Sequence, residues 1–500
     1  MFTCLLSLYI QIIINVSLGN VNPIFILAVI CLVSSCGASP EQIGEMNARE
    51  YCANCHAFPD PSLLTKEQWA KHVLPKMAEF MHVDTSSVSN TQSGFSREIW
   101  KSITAYYEKN APEVLPIPAL PTIDTLKRFQ VLIPPGRYGI PSLTMLRKKA
   151  DGGFCLADAN TKSWLELRAD YSISKAGEIT EGGVDMLQWK DHSYSLFMGS
   201  FSPTEEALGL LLKHPLGAIE RASVIADSLQ RPVCMRAHDW NKDGAPDFVI
   251  CEFGKYAGGL SLYLSQPDGK LKRSVLQSSP GAVSAELRDF NKDGLMDIVV
   301  LFAQANERID LMLSDGKGGF KIINLMQFPA SYGSSSLKLY DLDADGMEEF
   351  IYTAGDNADF PAIIKPYHGI YIYKMVPGYK LKRTAFYPLP GAYAAHPGDF
   401  DGDGKPELAC ISFFPDWEKH PELSFVIIDL DQSKKPTYSY IPDLFKAGRW
   451  IVMESTDIEG DGDLDILLGS MTMETSPATP LTALWAKNKI PFVVLRNLNK

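Results

Sequence analysis

A chain of 500 residues that is 46% hydrophobic and 21% charged is long enough for two cores and too apolar to remain disordered. Its formal charge of −12, with no basic patch, argues against nucleic acid as a partner. No nucleophile–base pair or cofactor fingerprint of a common enzyme class is present, which leans the reading away from a catalyst.

The first 35 residues carry no charged side chain and contain two apolar runs, 5–14 and 24–33. The second ends in Val33-Ser34-Ser35-Cys36, ahead of a polar Gly-Ala-Ser-Pro stretch. This resembles a bacterial lipoprotein leader, residues 1–35, in which Cys36 is lipidated after export. The usual basic residues at its start are missing, so either the true start lies near Val21 or the segment stays as an uncleaved anchor. Both readings export the rest, and the resemblance implies a periplasmic or cell-surface lipoprotein held to the membrane by its lipid.

Residues 39–110 read as a small all-α domain. Ser39-Pro40-Glu41-Gln42 combines an N-cap, a first-turn proline and a capping-box glutamine, so a helix should run into Cys52. A second helix should start at Thr65-Lys-Glu-Gln68 and break at Pro75; a third should run from about Ser96 to Lys109, with Ile99, Ile103 and Tyr107 on one face. Cys52-Ala-Asn-Cys55-His56 places two thiols where both can form thioethers to haem vinyl groups, with an imidazole that reaches the iron from the same turn. No second Cys/His pair stands nearby to complete a zinc site. For the sixth ligand Met77 is favoured, with Met81, His72 and His82 as alternatives. Together with Phe58-Pro59-Asp60-Pro61, Trp69 and Leu74-Pro75-Lys76-Met77, the motif resembles c-type cytochrome domains. That resemblance implies one covalent haem c and electron transfer with an unknown redox protein. Of the other cysteines, Cys251 and Cys410 lie in apolar strand-like runs and read as buried thiols. A disulfide at Cys155 or Cys234 is open in an exported protein.

Residues 111–121, with Pro112, Pro116, Pro118 and Pro121, form a stiff linker. Beyond it, residues 122–500 contain one acidic loop five times, starting at Asp239, Asp289, Asp341, Asp399 and Asp457, at spacings of 50, 52, 58 and 58 residues. Positions 1, 3, 5 and 9 are Asp239, Asn241, Asp243, Asp247; Asp289, Asn291, Asp293, Asp297; Asp341, Asp343, Asp345, Glu349; Asp399, Asp401, Asp403, Glu407; and Asp457, Glu459, Asp461, Asp465. Oxygens at this spacing around a glycine at position 6 suit a hard cation, and calcium is the natural occupant. Five such ions would bring the chain close to electrical neutrality. An EF-hand would need a carboxylate at position 12, where Ile250, Val300, Tyr352, Cys410 and Leu468 stand in strand-like runs instead.

Four strands per repeat of about 50 residues describe one propeller blade. Residues 126–133 read as a fourth strand without a blade in front of it, and 492–495 as a third strand without a fourth behind it, so the two ends should close one blade together. Two further blades without a metal loop fit before Asp239, with strands near Leu143, Phe154 and Trp164, then near Val184, Ser193 and Leu208. The total is seven, with six or eight as alternatives. The loops resemble FG-GAP or VCBS repeats of integrin-type propellers, over residues 231–500 well and 126–230 poorly.

Strand direction puts the loops between second and third strands on the face opposite the acidic loops. The longer ones carry Asp356, Asp359, Lys365, Tyr367, His368 and Trp417, a candidate face for a polysaccharide or protein ligand. The leading expectation is thus an exported, haem-binding electron-transfer protein with a calcium-stabilised propeller as binding scaffold. The alternatives are a propeller dehydrogenase or polysaccharide-active enzyme that passes electrons to the haem, and a cell-surface adhesion module.

Overall fold

The structure is a computed structural model that describes residues 38–83, 96–119, 121–135, 138–149, 152–168, 170–179, 182–358, 363–430, 436–472 and 479–499. The leader, Cys36 and Asp359 lie outside the described residues. The chain forms two compact units. The described residues of Met1–Cys52 and Lys66–Ala111 make one; those of Ala53–Thr65 and Pro112–Lys500 make the other.

The smaller unit is helical. Helix α1, Pro40–Cys52, opens on the expected capping box: Gln42 N–H donates to Ser39 Oγ at 3.2 Å and Ser39 N–H to Gln42 Oε1 at 2.9 Å. The next helical stretch differs from expectation at Pro75. A short turn, Lys66–Gln68, widens into a π-helical turn at Trp69–Val73, and helix α2, Leu74–Phe80, carries Pro75 near its start. The wide turn lets Leu74 N–H bond back to Trp69, so the missing N–H of the proline falls where the ladder is already re-phased. Helix α3, Arg97–Asn110, is capped by Ser96, whose Oγ accepts from Ile99 N–H at 3.2 Å. It packs against α1 through buried Trp100, Ile103, Tyr106 and Tyr107, and Trp69 lies against Tyr107 with ring centroids 4.3 Å apart.

The larger unit is a seven-bladed β-propeller. Seven sheets each contain four antiparallel strands. Their first strands are Leu143–Lys148, Gly183–Trp189, Pro232–His238, Ala282–Arg288, Ser334–Tyr340, Ala392–Gly398 and Trp450–Thr456. Each packs against the first strands of both neighbours, and the first blade's meets the seventh's, which closes the ring. Phe129–Leu132 pairs antiparallel with Phe492–Asn497, so residues from both ends of the array complete blade seven, with Phe129–Leu132 as its outermost strand. Blades one and two lack acidic loops yet share the register shift that recurs two residues into the first strand of every blade. The bulge, more than the sequence, marks them as the same repeat. One strand was not anticipated: Thr122–Thr125, just after the proline-rich stretch, adds to blade six in parallel with Thr437–Tyr440.

The segment Ala53–Thr65 belongs to the propeller's unit, not to the helical one, unlike the expected division at 110. Tyr367 of blade five donates its hydroxyl to the Leu63 carbonyl at 2.9 Å.

Candidate functional site

The five acidic loops share one internal bracing, built from backbone N–H groups. The position-1 aspartate accepts from the N–H of position 6 in every loop, as Asp239 Oδ2 does from Gly244 at 2.8 Å. The position-9 acid opens the second strand, is almost fully buried, and accepts from the N–H of position 2: Trp240 at 2.8 Å, Phe290 at 2.9 Å, Leu342 at 2.7 Å, Phe400 at 2.8 Å and Ile458 at 3.0 Å. Position 6 is a left-handed glycine throughout, with φ between 82° and 99°, and position 4 is left-handed too, even where it is Lys242, Lys292 or Ala344. That conformation turns the remaining carboxylate oxygens to one side.

The loops differ in how well they suit a cation. In blade six Asp399, Asp401, Asp403 and Glu407 each bring a carboxylate oxygen within 4.8 Å of the others. Burial, with repulsion from Asp399 and Asp403, pushes Glu407 up to about 7 against the opposing Phe400 N–H and Arg128. A divalent ion relieves that repulsion, so this donor set fits calcium. In blades three and four Asn241 and Asn291 turn their amide N–H groups onto Asp243 and Asp293 at 3.0 and 2.8 Å. In blade five Asp341, Asp343 and Asp345 converge similarly, but Lys374 Nζ lies against Asp343, Asp345 and Glu349 at 2.6, 2.7 and 3.1 Å. In blade seven Arg496 Nε pairs with Glu459 at 2.9 Å.

At the proposed haem turn, Cys52 closes α1, half-buried, and burial pushes its thiol up to about 11. Cys55 is exposed and His56 half-buried. His56 Nδ1 lies 2.8 Å from the Ala57 carbonyl; when Nδ1 carries the proton, Nε2 is left as the metal-binding nitrogen. Two thiols and an oriented imidazole in one turn fit the covalent haem motif. Met77 and Met81 are both half-buried, on and just beyond α2, as is His72, whereas His82 is exposed.

Cys155, Cys234, Cys251 and Cys410 are buried thiols, and none of them is in a disulfide among the described residues. Cys234 and Cys251 face each other across the first two strands of blade three, and the interaction with Cys251, helped by Arg236, draws the Cys234 thiol below its ordinary value against burial.

On the opposite face, burial separates the candidate ligand-binding residues. Tyr367 stacks on Tyr332 at 4.7 Å, Trp417 packs edge-on against Trp485 at 5.1 Å, and His368 is 1% exposed. Burial holds His368 well below its ordinary pKa, hence neutral. These three are packing groups; Asp356 and Lys365 remain half-exposed.

Two arrangements escaped the sequence reading. The first surrounds the propeller axis, where Glu454, Arg147, Asp185, Arg236 and Glu286 form an alternating relay across blades seven, one, two, three and four. Successive contacts are 3.8, 3.0, 3.6 and 3.3 Å. Lys338 and His396 complete the circuit, and Lys338 feels the charge of Arg147 across the ring. The signal was present: Arg236, Glu286, Lys338, His396 and Glu454 each stand three residues before an acidic loop.

The second is Glu307, 1% exposed, which accepts from Gly333 N–H at 3.2 Å, Ser334 N–H at 2.8 Å and the Ser334 hydroxyl. Burial raises its carboxyl from 4.5 to about 7. Between these two values the folded chain keeps a proton that the unfolded chain has released, so the associated stability is present at low pH and lost as pH rises to about 7. Glu307→Gln is therefore expected to melt alongside the parent near pH 4.5 and to gain on it by neutral pH, by on the order of 3 kcal/mol. Parallel stability curves from pH 4.5 to 7.5 would contradict this.

Residues 239–300 and 289–352 match the FG-GAP-like repeat family. Solved structures similar to the chain include a Saccharomyces cerevisiae complex of a Dbp5 variant with Nup159, a Gle1 variant, IP6 and ADP, at 12% identity and TM-score 0.43, covering 76% of this chain and 98% of that one. The N-terminal domain of Nup159 matches at 10% and 0.43, over 76% and 98%. A catalytically inactive variant of virginiamycin B lyase from Staphylococcus aureus, with quinupristin, matches at 12% and 0.44, over 73% and 98%. Likenesses this loose carry no functional argument. Fold and repeats together define a seven-bladed β-propeller scaffold that contains FG-GAP-like repeats, consistent with a binding module.

Proposed function

We propose that this chain is an exported electron-transfer protein in which a small haem-bearing segment, a c-type cytochrome-like domain over 39–110, is joined to a calcium-stabilised propeller, 122–500, that serves as its docking scaffold. The observation that carries this reading is the Cys52–Cys55–His56 turn, with His56 Nδ1 placed against a backbone carbonyl. A haem held there supplies one-electron chemistry. The residues that would hold it are Cys52 and Cys55 through their sulfurs, His56 through Nε2 and, as a candidate second ligand, Met77 or Met81. Further support comes from the bonding of Tyr367 to Leu63, which ties the segment just after His56 to the face that bears the longer loops. The proposed partners are a redox protein and a protein or polysaccharide ligand, with Cys36 as lipid anchor and the periplasm or cell surface as location. Calcium on the opposite face stiffens blades and takes no part in redox chemistry.

The test is spectroscopic. Full-length protein matured with haem-attachment machinery should give a c-type pyridine haemochrome, and chelation should lower its melting temperature without changing that spectrum. A protein that acquires no haem, or one whose haem spectrum collapses on chelation at unchanged melting temperature, would refute the respective half. Reduction of the haem by an added sugar or alcohol would instead favour the dehydrogenase alternative.

A further inference from the structure

The five loops are alike in sequence, but the residue facing each from the third strand of its blade is not. One residue beyond the pairs Phe248–Tyr263, Ile298–Met312, Phe350–Tyr373, Leu408–Ile428 and Ile466–Leu495 the third strand places Leu264, Leu313, Lys374, Asp429 and Arg496 beside the position-9 acid. In blades three and four the neighbour is apolar and in blade six it is a further acid. In blade five it is a lysine whose ammonium contacts Asp343, Asp345 and the buried Glu349 at 2.6, 2.7 and 3.1 Å. Hydrogen bonds from Nζ to Asp343 and Asp345 accompany the first two contacts.

These carboxylates supply positions 3, 5 and 9 of the loop, the oxygens that calcium would need at about 2.3–2.6 Å. An ammonium on three of the four donors and a divalent ion among them exclude each other: the same oxygens cannot turn to both, and like charges a few ångströms apart repel. Lys374 is also tethered, so it competes at a high effective concentration, whereas calcium must arrive from solution. Lys374 thus offsets one of the loop's four negative charges and occupies three of its four donors. Arg496 in blade seven is a weaker case, because its guanidinium takes Glu459 and leaves three carboxylates of that loop to other partners.

We propose that the blade-five loop is not a calcium site but a lysine-locked copy of one, in which Lys374 Nζ takes the place of the metal. Calcium capacity then depends on the residue beside the position-9 acid, not on the acidic motif alone. The blade gains a brace that chelation cannot remove. This deepens the calcium reading of the other loops and rests on it only for the expected count in the parent protein.

The experiment is a calcium count by native mass spectrometry on the full chain at saturating calcium. Four proteins are compared: the parent, Lys374→Met, Asp345→Asn, and the double variant. Methionine keeps the apolar stem and removes the charge. The expected result is one more calcium in Lys374→Met than in the parent, no change in Asp345→Asn, and loss of the added ion in the double variant. Chelation should lower the melting temperature of Lys374→Met by more than that of the parent. A lower count in Asp345→Asn than in the parent would overturn the proposal, because the loop would then already hold calcium. So would an unchanged count in Lys374→Met. Should that variant not fold, Asp345→Ala, which leaves no oxygen at position 5, decides in its place, an unchanged count supporting the lock and a lost ion refuting it. A parent that binds no calcium beside a Lys374→Met variant that binds one would sink the general calcium reading and leave the lock standing.

Discussion

Replacing Cys52 and Cys55 with alanine is expected to abolish covalent haem while leaving the propeller folded. Each sulfur in the turn that presents the imidazole can hold one haem vinyl group, and no other cysteine of the described chain has an adjacent histidine. The double variant, matured in parallel with the parent, should lose the haem stain after denaturing electrophoresis and the c-type haemochrome band. Either substitution alone should leave a single thioether, with the band displaced from the parent's position. The helical unit should also lose stability, because about 70 residues make a thin core without a cofactor. The calcium-dependent melting of the propeller should not move. Covalent haem persisting in the double variant would remove the proposed site altogether.

The second large effect concerns the buried acid at position 9. Asp247 is fully buried; Oδ2 accepts from Trp240 N–H at 2.8 Å and Asn241 N–H at 3.3 Å, and Oδ1 from Ser265 N–H and Oγ, both at 2.7 Å. Asp247→Ala leaves three backbone donors without an acceptor in a place water hardly reaches, and should destabilise blade three by about 3 kcal/mol or more even in chelator. Asp243, at the exposed position 5, accepts from Ala245 N–H at 2.8 Å, a donor that water can reach, so Asp243→Ala should cost far less than Asp247→Ala in chelator and show its main effect when calcium is added. Asp247→Ala that matches the parent in chelator would show that position 9 serves the metal alone. The comparison separates two duties of one motif: position 9 braces the turn through buried backbone donors, whereas positions 3 and 5, which also accept N–H groups of the turn, are exposed and open to a cation.

Much of this protein was legible in its sequence wherever the relevant residues are neighbours in the chain. The acidic loop spans nine residues, so its spacing, its glycine at position 6 and its repetition could be counted directly. The helix caps at Ser39 and Ser96 are equally local. Closure followed because a fourth strand at 126–133 without a blade and a third strand at 492–495 without a fourth complete each other, whereas the blade count stayed between six and eight until the structure showed seven. The proline at 75 misled because a π-helical turn just upstream can absorb it, and nothing in the residue types announces that turn.

What only the tertiary structure decided depends on side chains that come from different blades. The charges of Arg147, Asp185, Arg236, Glu286 and Glu454 are plain in the sequence, but only closing the ring sets them in alternation around an axis. Tyr367, His368 and Trp417 look like a ligand-binding set by residue type, and burial makes them packing groups. Glu307 reads as an ordinary surface acid until Ser334 and Gly333 close over it. The five acidic loops, identical by spacing, differ because a strand from farther along the chain places leucine, lysine, aspartate or arginine beside them. Local spacing determines which atoms can converge; the charge and burial of what converges with them determine what they hold.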